Sequence, residues 1–292
     1  GTITRNSSLT VLRIESKTGD LMGGNDQIDG GYGNDILIGG IGGDTIIGGM
    51  GDDVILGDNG VVVRADGSTG TNGLARANDI WSTDPGYGGQ DTIRGGDGND
   101  IILGGSENDF AVEAPGSGSL GDHLSGDNGA DIIIGDNGYV TRSAADVVER
   151  IRTRGNENGV NYPRFGGNDI IDANDAMVQP DENRGADILI GGTGDDRIDG
   201  GWDDSADIIL GDNGTVVRTD NSGLIADGRN NDIFTSDPAY GGKDDLTGGP
   251  GNDIIAGGSG YADAYDVGGD TIKGGLGDDL IFGDGASITR NS

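Results

Sequence analysis

Seven aspartates, Asp35, Asp44, Asp53, Asp100, Asp196, Asp253 and Asp279, carry the chemistry that this sequence can do. Each is the sixth residue of an unbroken nonapeptide Gly-Gly-x-Gly-x-Asp-x-apolar-x, and three such peptides run consecutively from Gly30 to Leu56. The glycines make a turn that directs backbone carbonyls at the gap between stacked copies, and the acid adds a carboxylate beside them. Hard oxygen ligands, several to a site and flexibly arranged, suit Ca²⁺ better than Mg²⁺ or a transition metal. Cysteine is absent and His123 is the only histidine, so a zinc or iron site of sulfur and imidazole is excluded. The same shortage removes nearly every nucleophilic triad. Adjacent acids such as Asp52/Asp53 and Asp195/Asp196 read as metal ligands or loop ends rather than as a glycosidase pair, and no enzyme is expected.

Degenerate copies place further acids at the sixth position: Asp26, Asp91, Asp109, Asp122, Asp131, Asp169, Asp187, Asp207, Asp244 and Asp270. Two places after each Asp an aliphatic residue recurs, as at Ile28, Leu37, Ile46, Ile55, Ile102 and Ile281. A flexible Gly/Asp linker would not keep that pairing. A three-residue strand turns one side chain inward, so the eighth position makes a thin core, and repetition at this period signals stacked parallel strands. The expected fold is all-β: a parallel β-roll or β-solenoid of these repeats, with irregular insertions and calcium ions between turns. Two nonapeptides per turn and about a dozen turns give a rod of about 60 Å at 4.8 Å per strand.

These nonapeptides resemble the calcium-binding repeats of the RTX, or hemolysin-type, family of secreted bacterial toxins, proteases, lipases and adhesins. In that family, carbonyls of the first four loop positions and the sixth-position Asp bind Ca²⁺ between turns of a β-roll. The resemblance therefore implies as ligands Gly31, Gly33 and Asp35; Gly40, Gly42 and Asp44; and Gly49, Gly51 and Asp53. It implies likewise Gly96, Gly98 and Asp100; Gly192, Gly194 and Asp196; Gly249, Gly251 and Asp253; and Gly275, Gly277 and Asp279. The degenerate aspartates extend the set, with loops that depart from the pattern before Asp109 and Asp122.

With 51 acids against 18 bases the formal charge is −33 over 292 residues. Self-repulsion on that scale opposes a compact chain, so ion binding should act as folding free energy. Nucleic acid and membrane insertion are disfavoured as partners. A secreted chain without disulfides needs another staple, and calcium supplies one. An extracellular or cell-surface location, as for secreted bacterial proteins, follows as an expectation. The chain begins with Gly rather than Met and reads as a processed product or a piece of something longer.

A longer repeat lies behind the short one. GDNGVVVR, GDNGYVTR, GDNGTVVR and GDGASITR end at Arg64, Arg142, Arg218 and Arg290, and the chain opens with a similar phrase ending at Arg5. The GDNG phrase reads as a turn or a metal loop. One continuous β-roll over 1–292 is expected, with modules near 1–64, 65–142, 143–218 and 219–292. Residues 3–7 recur as residues 288–292, an offset of 285. Seventh and ninth positions are often aliphatic (Val54/Leu56, Ile101/Leu103, Ile132/Ile134), a stripe too long to leave bare. Either another chain covers it or the insertions near 61–85, 110–119, 139–165, 173–184 and 215–238 do. Trp81 and Trp202 read as anchors under such insertions. The function these features point to is a repetitive unit of a calcium-stiffened fibre, adhesin stalk or surface layer, self-associating head to tail or laterally. The alternative is a calcium-triggered folding and secretion module of a larger secreted enzyme or toxin.

Overall fold

The computed structural model describes residues 1–5, 11–16, 23–64, 79–106, 120–143, 146–157, 159–171, 185–218, 232–258 and 269–289. Two parallel sheets of eight strands and one antiparallel sheet of nine account for nearly all of the regular structure. The chain enters each turn of the roll through an outer strand, such as Gln27–Tyr32 or Thr45–Met50, and returns through a middle strand, such as Ile36–Ile38 or Val54–Leu56. Successive turns stack in register, Ile28 beside Ile46 and Leu37 beside Ile55. This is the β-roll that the nonapeptide period predicts. Among the described residues the only helical element is a single 3₁₀ turn, Tyr162–Arg164.

The eighth-position side chains of both sheets meet between them. Ile46, Ile55, Ile102, Ile133, Leu189, Ile209, Leu246 and Ile255 are fully buried in one column. Outer-sheet strands present polar seventh positions to solvent, as at Thr45, Thr92 and Arg197. Middle-sheet strands do not: Val54, Leu56, Ile101, Leu103, Ile132, Ile134, Ile188, Ile190 and Leu210 are buried on their other face. A parallel strand apolar on both faces needs a layer on each side.

The second layer is the antiparallel sheet. It comprises Thr2–Arg5, Val11–Glu15, Gly60–Val63, Ile80–Ser82, Gly138–Arg142, Val148–Thr153, Gly214–Val217, Asp232–Thr235 and Ser287–Thr289, neighbours in that order. Val62, Ile80, Val140, Ile151, Val216 and Ile233 project from it onto the middle sheet and complete a second core. The insertions near 61–85, 139–165 and 215–238 thus cover the aliphatic stripe. The stretches near 110–119 and 173–184 lie largely outside the described residues.

Two expectations need correction. Among the described residues sixteen roll strands make eight turns rather than a dozen, about 38 Å at 4.8 Å each, because the described parts of the insertions build the cover instead of further turns. Trp81 is a buried anchor, stacked on Tyr139 with ring centroids 5.6 Å apart, whereas Trp202 is 63% exposed.

Candidate metal centres between the turns

Each sixth-position aspartate closes a glycine turn just before a strand, so stacking the turns stacks the acids. Asp26, Asp44, Asp91, Asp196, Asp244 and Asp270 precede the outer strands, and Asp122 and Asp169 lie near the starts of theirs, so that Asp26, Asp44, Asp91, Asp122, Asp169, Asp196, Asp244 and Asp270 follow in stacking order. Asp35, Asp53, Asp100, Asp131, Asp187, Asp207, Asp253 and Asp279 precede the middle strands. Along both columns the backbone N–H of one aspartate donates to Oδ1 of the aspartate in the next turn. Fourteen such bonds span 2.6 to 3.1 Å. All sixteen described sixth-position acids belong to one of the two ladders. Asp109 lies outside the described residues, and the ladder passes from Asp91 directly to Asp122.

One oxygen of each carboxylate is used in this way; the other points into the gap. Oδ2 of Asp35, Asp44, Asp53, Asp91, Asp100, Asp131, Asp196, Asp244 and Asp253 is buried without a hydrogen-bond partner. What it faces is the carbonyl of the first glycine in the following turn. A Cβ added at Gly39 would strike both Asp44 Oδ2 and the Gly57 carbonyl oxygen; at Gly57, Asp91 Oδ2 and the Gly104 oxygen; at Gly248, Asp253 Oδ2 and the Gly274 oxygen. The first glycine therefore leaves open an oxygen-lined slot that any side chain would fill. The fourteen second- and fourth-position glycines from Gly31 to Gly277 that the resemblance implies as ligands all have φ between +89° and +148°, backbone that side-chain-bearing residues rarely adopt. Their carbonyls run along the stack: Gly31 O faces Gly49, and Gly33 O faces Gly51.

The interior acids from Asp44 to Asp253 are at most 2% exposed. Burial pushes Asp91 and Asp207 up to about 8, and Asp100 and Asp131 up to about 7. Burial, with neighbouring carboxylates adding to it, holds Asp122, Asp196 and Asp244 well above the ordinary range. Such a column is costly as bare anions, and a cation shared between turns removes the cost. Among the described residues no three His or acidic side chains converge, so the carboxylate in each slot must be supplemented by backbone oxygens. A donor set of carboxylate and carbonyl oxygens fits Ca²⁺.

Two sets of residues stand beside the ligands that the resemblance implies by number. The first-position glycines, Gly39, Gly48, Gly57, Gly95, Gly104, Gly135, Gly191, Gly211, Gly248 and Gly257, line the slots more directly than the glycines that follow them. Their signal was present: the first glycine persists at Gly57, Gly126, Gly135 and Gly211, where the second is replaced by Asp. The other set is the GDNG acids. Asp136 accepts the N–H of Gly167 at 3.1 Å and of Thr193 at 2.6 Å, Asp58 that of Ser106, and Asp212 that of Gly242. These carboxylates pin backbone at the corner into the cover sheet, whereas in the copy at Gly126 the acid Asp127 pairs with Arg94 at 2.7 Å. His123 sits at a seventh position of the outer sheet between Thr92 and Ile170.

No helix among the described residues is long and apolar enough to cross a membrane. No curated protein matches the chain. The family model for the RTX calcium-binding nonapeptide repeat matches residues 22–46, 29–61, 86–111, 117–139, 183–215, 239–261 and 266–287, more than half of the chain. With slots built from that repeat's own glycines and aspartates between its turns, this chain belongs to the RTX calcium-binding repeat family, whose nonapeptides bind multiple calcium ions.

Proposed function

We propose that the chain is a non-catalytic structural unit of an extracellular calcium-stiffened fibre, adhesin stalk or surface layer. The observation that carries this reading is the extent of the ladders. They run through all eight described turns along both edges, and the cover sheet buries the middle sheet, so the ladders are the feature that every part of the described roll shares. In this reading Asp Oδ2 and the first-position carbonyls hold the ions, and filling the slots converts a repelling polyanion into a stiff block. Calcium concentration then decides where the chain folds: unfolded where calcium is scarce, folded outside the cell. The same switch would serve a folding and secretion module of a larger protein.

Circular dichroism in excess chelator and then in millimolar Ca²⁺ tests the reading. The β signal and a cooperative melt should appear only with calcium. A chain with equal β signal and melting temperature in chelator would remove calcium as the structural element.

A further inference from the structure

Along the edge where the middle sheet turns into the cover, the second position of the glycine turn alternates. Stacking places Asp58, Gly105, Asp136, Gly192, Asp212 and Gly258 in one column, acid and glycine by turns. The three acids are 2%, 5% and 2% exposed. Each carboxylate lies over the glycine that follows it. A Cβ at Gly105 would strike Asp58 Oδ2, at Gly192 Asp136 Oδ2, and at Gly258 Asp212 Oδ2. The residue before each of those glycines faces a sixth-position acid instead: Gly104 faces Asp122, Gly191 faces Asp196, and Gly257 faces Asp270. Both kinds of carboxylate therefore crowd one strip of backbone.

Holding backbone does not explain why the column residue is an acid. The chain does the same work elsewhere with neutral amides. Oδ1 of Asn34, Asn99, Asn168 and Asn252 accepts a backbone N–H from a neighbouring turn at 2.8 to 3.2 Å. At the opposite edge of the roll Asp127 holds the equivalent second position, and there Arg94 neutralises it. Asp58 has no basic partner among the described residues. Its Oδ2 accepts the N–H of Ser106, while its Oδ1 and the Ser106 hydroxyl oxygen are buried without a hydrogen-bond partner. The N–H of Asp58 donates at 3.2 Å to the Gly104 carbonyl, the same oxygen that lines the slot of Gly57 and Asp91. Burial first, and then the charges of Asp91 and Asp44, hold the Asp58 carboxyl well above the ordinary range. Adjacent buried carboxylates with unpartnered oxygens are costly unless a cation joins them.

We propose that Asp58 and Asp91 together hold a calcium ion at the cover edge, with the Gly104 carbonyl and the Ser106 hydroxyl, in a two-carboxylate site that fills ahead of the one-carboxylate slots. Asp136 and Asp212 occupy the equivalent corners and make the same kind of site. A dication facing one carboxylate leaves a net positive charge in its slot, and facing two it is neutral. Ligand charge tunes calcium affinity in oxygen sites. The first ions to bind therefore sit where the roll passes into the cover, and they fasten each cover hairpin to its turn before the rest of the ladder fills. This assignment rests on the calcium reading above and deepens it.

Competition with a chromogenic calcium chelator, followed beside circular dichroism, tests it. The intact chain should show a tight and a weaker class of sites. Asp58→Asn keeps an acceptor for the Ser106 N–H, and it should remove part of the tight class by weakening its own site on the order of tenfold. The variant carrying Asp58→Asn, Asp136→Asn and Asp212→Asn should lose the tight class altogether. Asp127→Asn, at the acid paired with Arg94, should leave that class unchanged. All of these chains should gain β signal in excess calcium. If Asp58→Asn does not, Ser106→Ala decides, because it removes only the hydroxyl and should weaken the tight class about threefold. One uniform class in the intact chain overturns the proposal, as does a tight class that Asp58→Asn, or Ser106→Ala in its place, leaves as intact as Asp127→Asn does. The corner acids are then hydrogen-bond pins alone, and the calcium reading stands. If the intact chain binds no calcium and gains no β signal, both fall.

Discussion

At the residue scale the sixth-position aspartate does two jobs with one carboxylate. Oδ1 binds the preceding turn through its backbone, and Oδ2 faces the slot. Losing it removes a hydrogen bond and a charge partner together. Asp44→Ala should therefore destabilise the calcium-loaded chain by about 3 kcal/mol, the scale of a broken buried pair. Asp204→Ala, at an exposed acid, should change stability by less than about 0.5 kcal/mol. Equal shifts in denaturant midpoint would mean that the ladder is not where the ions act.

The pH response has a definite sign. Burial raises the interior acids, to about 7 for Asp100 and Asp131 and about 8 for Asp91 and Asp207. The folded, metal-free chain therefore binds protons more tightly than the unfolded one. Its penalty is full above pH 8 and is relieved as pH falls toward the unfolded value near 4. A proton on Oδ2 can donate to the facing glycine carbonyl and stand in for part of the cation's role. In chelator, β signal should grow on acidification from pH 8 to 4.5, and calcium affinity should weaken over the same range. Loss of structure on acidification in chelator would contradict this account.

At the element scale the informative piece is the corner that leads from the middle sheet to the cover. In GDNG the Asp pins backbone of neighbouring turns, and the Asn side chain donates to an incoming loop: Asn59 to Tyr87 O, Asn137 to Phe165 O, Asn213 to Tyr240 O. The last glycine passes so close to the preceding strand that a Cβ would press on Leu56 at Gly60, on Ile134 and Leu103 at Gly138, and on Leu210 at Gly214. Gly138→Val should cost about 1–3 kcal/mol by overpacking, and Ile151→Ala, in the cover itself, about 2–5 kcal/mol. Thermal melts in calcium read both, and an unchanged Gly138→Val would show that the corner has room. The roll strands were legible in the sequence because every copy repeats the same one-in, two-out pattern. The need for a cover was legible too, from Val54/Leu56 and Ile132/Ile134. Its topology was not. The cover strands are antiparallel and come from segments such as 148–153 and 232–235, whose partners are set by long-range stacking rather than by any local period. The ladder bonds were hidden for another reason: they involve backbone N–H groups, whose direction a residue pattern does not record.

At the scale of the whole molecule, charge and architecture set one switch. Two thin aliphatic cores must hold together a chain of formal charge −33, and the acids they fail to separate are stacked one per turn along each edge. Such a chain should become compact only when cations fill the stack. Eight turns and three layers about 10 Å apart make a block rather than the longer rod expected from counting repeats. A compact chain of this length has a radius of gyration of about 19 Å, and an unfolded one about 60 Å. Small-angle scattering should therefore report about 19 Å for the calcium-loaded monomer, and a value well above 30 Å in chelator at neutral pH, where the raised acids are largely ionised. Acidifying the chelated sample should bring the radius part of the way back, since protons neutralise the ladder without bridging the turns as a multidentate cation does. A radius that stayed near 19 Å in chelator at pH 8 would show that the two cores suffice without metal, and the buried carboxylates would then need another counter-charge.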